Sequence, residues 1–116
     1  MQNGKIIKDK DELAKVFDME HHFSDGLYAK KARIKPGQWL VQHKHNYEHL
    51  SVLAQGRCLV TVDGKTTEYV APAMITIVAG AEHKVFAIEE TVWFCIHATE
   101  ATTEDEVFEQ TVVKEI

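Results

Sequence analysis

The chain is poor in residues that staple or break a fold, with two cysteines and two prolines in 116 residues. Cys58 and Cys95 are too few for a disulfide scaffold and lack the spacing of a zinc knuckle or a redox pair. One disulfide between them is chemically allowed but nothing in the sequence selects it, and both thiols are expected reduced and buried as small apolar residues. Long apolar runs are missing as well. No stretch approaches the ~20 residues that span a bilayer, and the opening MQNGKIIKDKDE has no signal-peptide core, so the expectation is a cytoplasmic protein with no membrane partner. Nor is there an excess of positive charge, since 13 Lys and Arg face 18 Asp and Glu for a formal net charge of -5. Phosphate binding needs a clustered excess of cations, which excludes nucleic acid as the expected partner. The basic residues that do occur together, Lys5, Lys8, Lys10 and Lys15, then Lys30, Lys31 and Arg33, are interleaved with acids or apolar residues and read as solvated faces.

What is present is ordinary globular composition, 45% hydrophobic and 27% charged, in a length that suits one domain over 1–116. Asp9 to Phe17 could form a short helix. From Gly26 the texture changes to short apolar segments punctuated by Gly, Asp and Pro: Leu27 to Ile34, Gln38 to His43, His49 to Ala54, Cys58 to Val62, Thr67 to Val70, Met74 to Val78, Lys84 to Ile88 and Thr91 to His97. Evenly spaced short strands of this kind predict a sandwich or barrel. Asp63-Gly64 is the clearest hairpin turn, because both residues readily take the positive φ angles of type I′. Pro36-Gly37 and Ala79-Gly80 mark two further turns. In the tail, Thr103 followed by Glu106 has the form of a capping box, which predicts either a short helix or, for the apolar end, a strand added to a neighbouring chain.

The chemistry is concentrated in histidines. Between Gly37 and Gly56 the chain reads GQWLVQHKHNYEHLSVLAQG. In an extended segment His43 and His45 project to the same side as a chelating pair, and His49 follows after a short stretch that can turn the chain back onto the same site. His83 follows the Ala79-Gly80 turn. Neutral imidazole is the commonest transition-metal ligand, so spacing that allows several to converge points to a metal. Glu48 should face away from His49 by alternation. His21 and His22, without such spacing, are expected to be exposed and inert. His97 shares a strand face with Trp93 and Cys95 and is either a cavity residue or a structural hydrogen-bonding one. Trp39 and Tyr47 are candidates for the pocket mouth or the core.

These two segments resemble the two motifs of the cupin superfamily over roughly Gly26 to Ala98. Gly37, His43, His45, His49 and Gly56 fall on the first motif. Gly80 and His83 fall on the second, with Val78 where proline is usual and Ala87 where asparagine is usual. The acidic ligand of the family is replaced by His49, and in this the chain resembles small single-domain cupins in which four histidines hold manganese. The resemblance implies an all-β fold: one cupin-type double-stranded β-helix, a jelly-roll barrel with short N- and C-terminal extensions. It implies metal ligation by His43, His45, His49 and His83, with manganese or iron favoured among divalent transition metals and nickel, zinc or copper also compatible.

Four neutral ligands leave a divalent ion its full +2 charge, and on an octahedral ion they leave two positions for an oxygen-rich small molecule. The function implied is a metal-dependent enzyme of dioxygenase or oxidoreductase type acting on such a molecule. The alternative is a non-catalytic metal- and ligand-binding module of sensory or storage type, and a third reading is a scaffold whose metal only stabilises the barrel. Apolar residues on both faces of strands, such as Leu50 and Val52 opposite Leu53, predict a homodimer that covers the outer face.

Overall fold

A computed structural model describes residues 18–42, 48–103 and 105–107. Two antiparallel sheets carry the fold. In chain order the strands are β1 (Glu20–Ser24), β2 (Leu27–Ile34), β3 (Trp39–Gln42), β4 (His49–Gln55), β5 (Arg57–Val62), β6 (Lys65–Val70), β7 (Ala73–Ile77), β8 (His83–Ala87) and β9 (Thr91–Ala98). The first sheet has the order β1-β2-β9-β4-β7 and the second β3-β8-β5-β6. The chain thus passes repeatedly between the two sheets. This is the sandwich that the strand spacing predicted and the jelly-roll arrangement that the resemblance implied, with one strand more among the described residues than the segments read from the sequence.

Alternation decides which side of each strand faces inward. Ile34, Leu53, Ile77 and Trp93 from the first sheet meet Leu40, Val60 and Val85 from the second in one apolar cluster that includes Cys58 and Cys95. Each such side chain contributes about 2 kcal/mol by leaving water, so this cluster supplies the main drive to fold. Both cysteines are free thiols, as expected. Burial pushes the Cys58 thiol up to about 11. Among the described residues no helix is long and apolar enough to cross a membrane.

The turns follow their residues. Asp63 (φ 48°) and Gly64 (φ 84°) both adopt the left-handed conformation between β5 and β6, as a type I′ turn requires. Between β4 and β5 a different constraint operates at Gly56, whose φ is +95° and whose missing Cβ would run into the carbonyl of Glu90. Here the backbone of one connection lies directly against another, so only glycine fits. Just before it Ala54 is an extra residue in the β4–β9 ladder, because Leu53 pairs with Trp93 and Gln55 with Val92. Such a bulge bends the strand into the connection.

Two sequence readings change. Strand β1, with the sequence EHHFS, was not expected; it forms a hairpin with β2 across Asp25-Gly26. Lys31 and Arg33 do lie on a charged surface, paired with Glu20 and with Asp18 and Glu90. Lys30, however, alternates onto the opposite side with Tyr28 and Ala32, although all three cations are half-buried. The proposed helix at Asp9 to Phe17 lies outside the described residues. In the tail, residues 105–107 form a helical turn in which the Glu106 backbone N–H donates to the Thr103 hydroxyl oxygen. The Glu106 carboxylate in turn accepts from the Thr103 hydroxyl and the Thr102 backbone N–H, which closes the box one residue earlier than the usual form. These hydrogen bonds lower the Glu106 pKa below its ordinary value, the Thr102 backbone contributing most.

Candidate metal centre

One end of the sandwich is built differently from the rest of the interior. The β4–β9 ladder pairs Leu50 with Ile96 and Ser51 with Cys95, and the same register extended by one residue sets His49 and His97 at facing positions of the inner face. On the other flank of β9, His97 pairs with Tyr28 of β2, and on the other flank of β4, His49 pairs with Ile77 of β7. A single cross-strand row of the first sheet thus reads Tyr28, His97, His49, Ile77, and all four are buried. Facing it from the second sheet is His83, which pairs with Gln42 on one side and Val62 on the other.

His49 and His83 meet across the gap between the sheets. Their ring centroids are 5.6 Å apart at an interplanar angle of 43°, and their relative exposures are 4% and 0%. Two imidazoles that share one transition metal through nitrogens about 2.1 Å from it have centroids roughly 4.5–5.6 Å apart for angles from about 90° to 120°. The observed separation suits that arrangement. The pair also suits a transition metal in donor type, because neutral imidazole nitrogens are its preferred non-thiolate ligands. Two residues along β4 and β9 from His49 and His97, Ser51 Oγ lies 3.8 Å from Cys95 Sγ.

Of the four histidines singled out from the sequence, the fold brings together His49 and His83. His43 and His45 lie outside the described residues, as does Tyr47. Of the described residues that flank them in sequence, Gln42 is the register partner of His83 and Glu48 adjoins His49. Glu48 is exposed while His49 is buried, as alternation required. Among the described residues no three His, Cys, Asp or Glu side chains come close enough together to hold an ion.

Several side chains sit elsewhere than the sequence suggested. Trp39 neither lines the interior nor joins the core. It pairs with Phe86 on the outer face of the second sheet, with ring centroids 4.8 Å apart and the Lys84 ammonium 4.9 Å from its ring centroid. His22 is exposed beside Glu20, 3.1 Å from its carboxylate, and this contact lowers the Glu20 pKa. His21 is not inert. It is half-buried, and its Nδ1 lies 2.7 Å from the Tyr28 hydroxyl. His97 is buried with its ring at 64° to Tyr28 and centroids 5.2 Å apart. The sequence signal for the Tyr28 and His21 contact is the Asp25-Gly26 dipeptide, which marks a hairpin and so places the two strands side by side.

A model of the Cupin domain matches residues 31–97, more than half of the chain. No curated protein matches it. Among solved structures the chain is similar to the plu4264 protein from Photorhabdus luminescens, at 16% identity over 93% of this chain and 98% of that one, with a TM-score of 0.65. It is also similar to a cupin superfamily protein from Desulfitobacterium hafniense, at 15% identity over 68% of this chain and 72% of that one, with a TM-score of 0.60. The salicylate 1,2-dioxygenase from Pseudoaminobacter salicylatoxidans, solved with gentisate, matches at 14% identity and a TM-score of 0.66 over 72% of this chain. This chain corresponds to 25% of that enzyme's length.

Proposed function

Taking as premise that the chain belongs to the cupin family, we propose that it is a metal-dependent small cupin of dioxygenase or oxidoreductase type acting on a small oxygen-rich molecule. The observation that carries this reading is the buried His49 and His83 pair, held across the two sheets at a separation that suits a shared ion. In the proposal His43 and His45 complete a four-imidazole set, within one cupin domain spanning 1–116 with its barrel over roughly 26–98. Manganese or iron is the favoured ion. When bound it supplies Lewis acidity undiminished by any carboxylate ligand, which attracts an anionic or enolisable chelator.

The chain's own residues define the rest. His49 approaches from the first sheet and His83 from the second, so the ligand set rests on two rigid layers rather than on one loop. Ile77 beside His49 and Val62 beside His83 put apolar surface next to the imidazoles and limit water there. The dioxygenase likeness of a structural neighbour supports oxygen chemistry as the reaction class without assigning its substrate to this chain.

We also propose a homodimer. The outer face of the first sheet carries Phe94 beside Val52, itself beside Met74, and Ile96 beside Leu50. Met74 is 68% exposed and Val78 55%. A second copy would cover this face, and two reduced, buried thiols suit a cytoplasmic setting. Light scattering at micromolar concentration should give the dimer mass; a monomer alone contradicts it.

The functional test starts from protein purified without metal-loaded resin and follows oxygen consumption with small diketones, phenols and thiols. Metal-dependent uptake with one class supports the enzyme. Tight metal retention with no uptake across all three classes favours the non-catalytic binding module.

A further inference from the structure

The row that contains His49 continues into side chains that the metal reading does not use. His97 is its neighbour on β9, and cross-strand neighbours on one face have Cβ atoms about 5 Å apart. Yet His97 does not join His49 and His83 in any group close enough to share an ion. The β4–β9 register, extended from its Leu50 and Ile96 pair, sets it level with His49 on the same buried face. Its orientation is fixed by Tyr28, whose ring meets it at 64° with centroids 5.2 Å apart. Tyr28 is itself held on several sides. Its hydroxyl and His21 Nδ1 are 2.7 Å apart, Phe23 packs against its ring at 5.0 Å, and it shares a satellite cluster with Ala101 and Val107 of the C-terminal turn.

A buried imidazole fixed by an aromatic ring, which is fixed in turn by a second imidazole, is well placed to orient a polar molecule. We propose that His97 is a ligand-contacting residue of this centre, hydrogen-bonding the distal oxygen of a compact oxyanion chelator, with Tyr28 and His21 as its positioning residues. The chelator class is a small dicarboxylate or 2-hydroxy or 2-oxo acid, which has one oxygen pair for the ion and further oxygens for the imidazole. The inference rests on the metal-centre reading.

The test uses the full chain loaded with manganese, with oxalate as the probe and water-proton relaxation reporting displacement of water from the ion. Manganese affinity and thermal unfolding are measured beside it in the parent, H97F, H97Q and Y28F. Oxalate should bind about tenfold more weakly to H97F at unchanged manganese affinity, the size expected for one hydrogen bond to a charged group. H97Q, which keeps a donor, should recover part of the loss, and Y28F, which keeps the ring but drops the contact with His21, should lose about threefold. If H97F does not fold, H97Q and Y28F still decide the matter through the same ratio. Unchanged oxalate affinity in the folded variants overturns the inference alone. Loss of manganese from H97F also overturns it, by making His97 a ligand of the ion. A parent that holds no manganese overturns the metal centre, and the inference with it.

Discussion

The two ends of the sandwich interior show how one fold divides its labour. At one end Ile34, Leu40, Leu53, Val60, Val85 and Trp93 fill the space between the sheets with apolar surface. At the other, Tyr28, His97, His49 and His83 are also buried but carry polar atoms. Burying a polar group costs free energy unless it is matched by a partner, whereas burying an aliphatic one is favourable throughout. On the proposed reading, stability and metal binding are separable: a change at the apolar end should act on folding, and a change at the histidine end should act on metal binding.

The largest effect that could break this division is Trp93→Ala. It empties the centre of the apolar end, and unfolding free energy should fall by about 3–5 kcal/mol. Chemical denaturation would measure it, and a loss under about 1 kcal/mol would mean that the apolar end does not carry the fold. Gly56→Ala should come next, at about 1–3 kcal/mol, because it adds a Cβ against the Glu90 carbonyl and forces alanine into a left-handed φ. Equal stability of this variant would place the strain elsewhere.

At the histidine end His49→Glu should act differently. It restores the usual cupin donor set, so metal should still bind, but the carboxylate neutralises one unit of charge and anionic chelators should bind less tightly, by about tenfold or more. Unchanged occupancy and unchanged anion affinity would remove His49 from the centre. The smallest effect is expected from the C-terminal turn. Glu106 has its pKa lowered by hydrogen bonds in the folded chain. Its contribution is therefore present above the ordinary carboxylate pKa and is lost as pH falls through the depressed folded value. Protection of the Val107 amide, taken relative to its intrinsic exchange rate at each pH, should fall on acidification in the parent and show no such added step in Glu106→Gln.

What could be read in advance follows the same divide between local and distant information. The limits of β2, the turn at Asp63-Gly64 and the break at Gly56 are set by residues within a few positions of one another, and local chemistry announces them. The meeting of His49 and His83 was legible because the motif spacing carries it. Strand β1 was missed because EHHFS is polar, although Asp25-Gly26 marks its hairpin. Three sites were illegible for a different reason. His97 lies beside Tyr28 and His49 only because β9 runs between β2 and β4, and Lys30 turns inward through the same sheet order. Trp39 goes outward because Leu40 takes the core position on β3. None of these follows from a single segment.

The central claim is that the histidine end is a metal centre to which both sheets contribute, and metal content of the parent beside His83→Ala tests it most directly. The two proteins would be loaded with manganese, passed through gel filtration and assayed for metal, with thermal unfolding followed in parallel. One ion per chain in the parent and a strong loss from a still-folded His83→Ala are expected. Equal metal in both proteins, or none in the parent, would contradict the account.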